Sequence, residues 1–202
     1  MANWYNRTIL PKLLNSTMAA DEFGHIRPAV VAHATGIVLE IGVGAGHNFP
    51  FYKNVSKLYA LEPSRELAAL AQEKARGLPF PVEFIYEGAE HIPLPDASVD
   101  SVVSTWTLCS VANPAQVLQE IKRVLKPQGR FAFVDHGLSP HTGTSFIQKA
   151  ATPITKHFTG NCHMDRNIEQ LVRDSGLHID TLTHPKEGFK PLVHNYLGVA
   201  TK

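Results

Sequence analysis

The stretch VLEIGVGAGHNF, residues 38–49, places Gly42, Gly44 and Gly46 at alternate positions directly behind an apolar run. Glycine has no Cβ, so such a loop bends tightly and lets its backbone approach a polar ligand. Twenty residues beyond Gly42, Glu62 closes the next apolar run, KLYALE at 57–62. A carboxylate at that place can accept hydrogen bonds from both hydroxyls of a ribose. The pair reads as a site for a nucleoside without naming it. The dinucleotide fingerprint puts its third glycine where His47 stands, and no Gly-Lys-Ser/Thr follows to make a phosphate loop. Two alternatives stay open on these residues alone. One is a tight strand-to-helix turn with a solvated strand-end acid, and the other is a nucleoside ligand whose reactive part is not a pyrophosphate. A dehydrogenase would add a second nucleotide-binding half and a substrate domain, for which 202 residues leave little room.

The bulk of the chain narrows the class. Lys plus Arg is 19 against 18 Asp plus Glu, and no basic tract marks a nucleic-acid partner. The two cysteines, Cys109 and Cys162, make no disulfide framework and suit a reducing, cytoplasmic compartment. No apolar run approaches the ~18 residues of a membrane span, and the N-terminus lacks a signal peptide's apolar block. Trp4, Tyr5, Ile9, Leu10, Leu13, Leu14 and Met18 recur at roughly helical spacing that Pro11 interrupts. They read as one or two short helices lying over the domain, with weak membrane-surface contact as the alternative.

Strands and helices then alternate. Strands are expected at 36–41, 57–62, 81–88, 99–107 and 130–137. A helix at 64–77 has Ser64 as N-cap, and one at 113–129 has Asn113 as N-cap and Pro114 at its first position, ended by Pro127 and Gly129. A helix at about 165–175 and strands near 177–184 and 192–200 complete the chain. The pattern implies a single α/β domain over 1–202, a Rossmann-like seven-stranded mostly parallel sheet with helices on both faces. Its parts are an N-terminal helical segment (1–35), a cofactor-binding core (36–136), an irregular cap (138–163) and a C-terminal helix with strands (164–202).

The segments VLEIGVGAG, LEPS, EGAEHIPLPDASVDSVVST and RVLKPQGRFAFVDH, in that order across residues 36–136, resemble the successive motifs of class I S-adenosylmethionine-dependent methyltransferases. The resemblance implies S-adenosyl-L-methionine as cofactor. It assigns Glu40, Gly42, Gly44 and Gly46 to the methionine part and Glu62 with Pro63 to the ribose. It assigns Gly88, Ala89 and Glu90 to the adenine, and Ser104 and Thr105 to the methionine and donor methyl. Gly88 departs from the family pattern, where many members carry an Asp, so adenine contact falls to the Ala89 backbone and to His91 or Ile92. GAGHNFPFY, VVSTWTLCSVANPAQVLQEIKRVLKPQG, DH, GNCHMDR and the ending VHNYLGVATK are similar to the small thiol methyltransferases known from endoplasmic reticulum membranes. This implies a small-molecule acceptor, a thiol or sulfide. The membrane-anchoring N-terminal segment of that family is absent here, so the expectation is a soluble relative. Methyltransferases for another small acceptor, such as a phospholipid amine or quinone-like ring, share the cofactor half, and a catalytically silent binding module is the third reading.

Methyl transfer to a thiol needs in-line placement and a thiolate. Asp135 and His136 end the fifth strand, where ligands of open α/β sheets gather, and so are candidates to take or stabilise the thiol proton. The alternatives are a structural acceptor for Asp135 and a capping or lining ring for His136. His163, at the end of the cap, is a third candidate for the pocket. Neighbouring Cys162 and His163 do not chelate one ion together and no further ligand has suitable spacing, so no metal site is expected. Cys109 reads as a buried small hydrophobe, and His194 as a residue near the start of the last strand.

Overall fold

The computed structural model describes residues 9–185 and 193–202. Trp4 and Tyr5 of the expected N-terminal pattern lie outside them. Seven strands, β1 (Thr35–Ile41), β2 (Asn54–Leu61), β3 (Val82–Ile85), β4 (Val99–Thr105), β5 (Leu125–His136), β6 (His178–Thr183) and β7 (Asn195–Thr201), make one sheet in the order β3-β2-β1-β4-β5-β7-β6. The first five pair in parallel, while β7 runs antiparallel to both β5 and β6. The helices are α1 (Leu10–Met18), α2 (Asp21–Gly24), α3 (Arg27–Val31), α4 (Arg65–Ala75), α5 (Pro114–Val124), α6 (Thr142–Thr155) and α7 (Ile168–Asp174). This is the mostly parallel α/β sheet that the alternating pattern implies.

Strand residues alternate between faces, and both faces here are covered, so neighbouring apolar residues enter different cores. Leu39, Ile41, Val102, Phe131 and Phe133 pack with α5 and α7 residues such as Ile121 and Val172. Val38, Val103, Ala132 and Val134 pack on the opposite face with Phe23, Val30 and Val31 of the N-terminal helices and Ala71 of α4. Three helices begin on a side-chain cap. Ser64 accepts from Leu67 N, Asn113 from Gln116 N and Asn167 from Gln170 N, each satisfying a donor that the first turn leaves without an intrahelical partner.

The boundaries differ from expectation in instructive places. Helix α5 stops at Val124, and Leu125 already has extended geometry (φ −64°, ψ 133°) as the first residue of β5. Pro127 acts upstream of itself, because it disfavours helix at the residue before it. The third strand is confined to Val82–Ile85. Pro11 starts α1 rather than breaking it, since a first-turn position has no intrahelical N–H to lose. The stretch 138–163, expected to be irregular, contains the fourteen-residue α6. Its pattern is inverted. Gln148 and Thr152 are buried while Phe146, Ile147 and Ile154 face outward, so apolar periodicity gives no signal of the packed face. Gln148 replaces apolar packing with hydrogen bonds, accepting from Ser139 N (2.8 Å) and donating to Gly137 O (3.1 Å).

Ile121 is completely buried between α5 and the sheet. Its truncation to alanine removes packed methylenes and leaves a cavity, so Ile121→Ala should destabilise the protein by about 2–5 kcal/mol in urea unfolding.

Candidate active site

A cleft of about 420 Å³ opens beyond the carboxyl ends of β1, β2 and β4, at the size of a small-molecule site. The glycine loop forms its floor, with Gly42, Gly44 and Gly46 at φ 65°, 57° and 71°. Gly42 N and Val43 N both donate to Leu61 O (2.8 and 3.2 Å), tying the loop to the end of β2. A Cβ on Gly46 would lie 2.7 Å from the Phe49 ring and 3.3 Å from Ala71 of α4. Gly46 therefore performs the close packing that the dinucleotide fingerprint gives to a glycine one residue later. A Cβ on Gly44 would meet nothing nearer than Gly42 O at 4.0 Å, so the space before it is open. No helix follows the loop directly; a 3₁₀ turn at Phe49–Phe51 does.

Glu62 stands at the end of β2 on the cleft wall. One carboxylate oxygen accepts from Gly44 N and the other from Ser64 N, both at 2.9 Å. These bonds fix the side chain and use two of its roughly four lone-pair positions, leaving acceptor capacity for hydroxyls. Burial raises its pKa, and the two N–H donors oppose the shift.

Beneath the loop lies a second, wholly buried carboxylate. Glu40 accepts from Asn48 Nδ2 and from the Tyr52 hydroxyl, each at 2.8 Å. Arg27 of α3 donates to Asn48 Oδ1 (2.8 Å), Thr105 Oγ1 (3.4 Å) and Met18 O (3.1 Å), and its guanidinium lies 4.9 Å from the Trp106 ring centre. Burial lifts Glu40 to about 7 despite Tyr52, Asn48 and Arg27, which all favour its charge. Burial likewise lowers Arg27 to about 10, leaving it cationic at neutral pH.

Of the residues expected to bind the cofactor, Gly42, Gly44, Glu62, Pro63, Gly88, Ala89, Glu90 and Thr105 line the cleft, while Glu40, Gly46 and Ser104 stand behind the lining. Alternation along β4 explains one of these. Thr105 faces Arg27 and Asn48, whereas Ser104 faces the other side, where its hydroxyl is 3.5 Å from Asp135. The Glu90 carboxylate is taken by Ala112 N (2.9 Å) and Asn113 N (3.3 Å), so it clamps the loop before α5. Ile92 is buried in the core and His91 lies outside the lining, whereas the Gly88–Glu90 turn lines the cleft.

Asp135, His136 and His163 all stand outside the lining. Asp135 is fully buried, and its oxygens accept from Leu108 N (3.2 Å) and Cys109 N (3.0 Å). That is the structural-acceptor alternative for this residue, and it corrects the assignment of Asp135 to the acceptor pocket. Its pKa rises to about 6 through burial, which leaves its backbone donors facing a partly protonated group near that pH. His136 packs behind Trp106, with ring centres 6.2 Å apart. His163 is lowered by burial and its Nδ1 is 3.7 Å from Asp165. Its backbone N–H holds Cys109 O at 2.8 Å.

Arg27, Asn48 and Tyr52 escape a reading of the sequence, as do Leu14, Asn15 and Met18 of α1, which complete the cleft wall. HNFPFY directly after the glycine loop was the available signal for Asn48 and Tyr52. Nothing local distinguishes Arg27. His47, at the absent third-glycine position, is held by Asn15 Oδ1 at 2.8 Å, and burial lowers its pKa to about 4.

This sheet order, with an acid after β2 and a glycine loop after β1, is the Rossmann-like arrangement of a parallel α/β sheet closed by an antiparallel β7. Residues 39–133 match the methyltransferase domain family. The thiol S-methyltransferase TMT1B of Rattus norvegicus is 35% identical over 133 residues, covering 64% of this chain and 54% of the relative. A phosphatidylethanolamine N-methyltransferase of Cereibacter sphaeroides is 30% identical over 146 residues, 71% of each protein. A structure of a SAM-dependent methyltransferase from Aquifex aeolicus superposes with a TM-score of 0.66 at 20% identity, over 95% of this chain and 97% of that one. The chain belongs to the class I S-adenosylmethionine-dependent methyltransferases, and S-adenosyl-L-methionine is its cofactor. It spans a little over half the length of the rat thiol methyltransferase.

The residues present fit that cofactor. The open face of Gly44 and the residual acceptor capacity of Glu62 suit a ribose. Two expectations follow. Glu62→Gln, which keeps shape but loses charge, should weaken adenosylmethionine binding about tenfold or more in calorimetry, since a charge-assisted hydrogen bond is worth about 1.5–3 kcal/mol. The second concerns Glu40, whose folded pKa of about 7 lies above its unfolded value of 4.5. The folded chain then binds that proton more tightly, so the contribution is full below the unfolded value and is lost as pH rises through about 7. Melting of the wild type relative to Glu40→Gln should therefore drop between pH 5 and pH 8.

Proposed function

We propose that the protein transfers the methyl group of S-adenosylmethionine to a small thiol or to sulfide. The observation that carries this reading is the Arg27 guanidinium on the cleft wall, stacked on Trp106 beside the apolar side chains of Leu14 and Met18. A buried cation favours an anionic thiolate over an ammonium in the same place. Of the two carboxylates on the wall, Glu62 is given to the ribose and Glu90 holds the backbone N–H groups of Ala112 and Asn113, so neither is left over for an acceptor amine. The similarity to thiol S-methyltransferases supports the same acceptor.

Bound adenosylmethionine supplies a methyl group already activated by its sulfonium. Glu62 holds the ribose, and the Gly88–Glu90 turn borders the base. The α1 side chains and Trp106 exclude water from the acceptor end. A thiol with a pKa of about 8.5 is a few per cent ionised at neutral pH, and the Arg27 charge raises the share of thiolate that reaches the site. With Asp135, His136 and His163 behind the wall, the thiol proton leaves to solvent.

The second reading is an amine in a lipid headgroup. Its support is the phosphatidylethanolamine N-methyltransferase relative together with the outward-facing Phe146, Ile154 and Phe158.

A methyl-transfer assay on the full chain separates the two readings. Hydrosulfide and methanethiol should be methylated faster than phosphatidylethanolamine in vesicles, with thiol rates climbing with pH toward the thiol pKa. Arg27→Met should lower thiol turnover at pH 7 about tenfold or more, and Arg27→Lys by less. Lipid amines that outrun every thiol, or a thiol rate indifferent to Arg27 in a folded variant, would overturn the thiol assignment.

A further inference from the structure

Behind the cleft wall the fold gathers three soft donors that the methyl-transfer chemistry leaves unused. Cys109 lies in the loop after β4, His136 ends β5, and Cys162 follows α6. Their ligand atoms all lie within 4.8 Å of one another, and Cys162 Sγ is 3.7 Å from His136 Nδ1. Spacing along the chain gives no hint of this set. It discards Cys162 with His163, whereas the fold turns Cys162 toward two residues more than twenty positions away.

Each donor is held in place by bonds outside the trio. Cys109 N donates to Asp135 Oδ1 (3.0 Å), and Cys109 O accepts from His163 N (2.8 Å). His136 is fixed in the sheet opposite Asn195 of β7. Asn161 Nδ2 donates to Ser110 O at 2.7 Å, which pins the segment that carries Cys162. A donor set locked by its surroundings is preorganised for a ligand.

The donor types choose that ligand. Two thiols and an imidazole suit a zinc-class cation, and are poor partners for oxygen-seeking magnesium or calcium. Charge agrees. A divalent ion bound by two thiolates and a neutral imidazole is uncharged overall, which a buried place tolerates. Arg166, whose Nη1 holds Leu108 O at 2.6 Å, adds positive potential that favours the thiolates.

We propose that Cys109, His136 and Cys162 form a three-ligand site for a zinc-class divalent cation, with the fourth tetrahedral position left to a non-protein ligand. Binding releases the two thiol protons to solvent and involves no redox change. The ion would clip the loop after β4 to the segment after α6. Both border the cleft, the first through Thr107, Ser110 and Val111, the second through Thr159 and Gly160.

Cobalt(II) titrated into the reduced full chain tests this without any activity measurement. One equivalent should give a thiolate-to-cobalt charge-transfer band that zinc abolishes, and zinc should raise the melting temperature. Cys162 is only half-buried, so Cys162→Ser should stay folded by circular dichroism. It should lose about half the band and bind zinc at least about tenfold more weakly, as should His136→Gln. Absence of the band in folded, reduced protein would overturn the site. So would unchanged zinc affinity in folded Cys162→Ser, or a Cys109–Cys162 disulfide that forms in air at the same rate with zinc present.

Discussion

The buried carboxylate of Glu40 constrains the site more than any other group. A charge at that depth costs several kcal/mol unless it is paired and hydrogen-bonded. Asn48 and Tyr52 supply the bonds, which draws the chain after the glycine loop down onto β1. Arg27 supplies the opposing charge through Asn48, and by binding Met18 O it also fastens the end of α1. One acid thereby joins the loop, the 3₁₀ turn, α3 and α1, and with Thr105 it reaches the end of β4. The cleft has walls because this group must be satisfied.

Three acids at three strand ends do three different things, and the side to which each points decides which. Glu40 shares its face of the sheet with the N-terminal helices and organises them. Asp135 points to the opposite face, where it fixes the loop after β4 through Leu108 N and Cys109 N. Glu62, one residue past β2, emerges onto the cleft and keeps acceptor capacity for a ligand. The same alternation separates Ser104 from Thr105 and turns His136 away from its neighbour Asp135.

Trp106 partitions the chemistry of the site. It holds a left-handed backbone (φ 52°) that a non-glycine residue adopts only when its surroundings impose it. Its N–H donates to Val134 O at 2.7 Å and its indole N–H to Asn195 Oδ1 at 3.3 Å. One side of the ring meets Arg27 at the cleft, Phe23 packs edge-on against it at 4.8 Å, and His136 lies beyond. The cleft and the Cys109–His136–Cys162 cluster thus lie on opposite sides of this ring.

The sequence by itself determined the alternating sheet, the glycine loop, an acid directly after the second strand, two of the three capped helices and the family. Those features are local. Glycine spacing, a two-residue strand period and an Asn or Ser before an apolar helical face act over a few residues, and their order along the chain is enough to read them. Only the tertiary structure decided which residues of each strand end reach the cleft, because a shift of one residue changes the face. It also placed Arg27, whose role is set by partners 21 and 78 residues away. It showed α6 packing through Gln148 and Thr152, since hydrogen bonds there do the work that an apolar stripe would announce. It brought Cys109, His136 and Cys162 together, because donors on separate loops and strand ends meet through the sheet and leave no spacing along the chain.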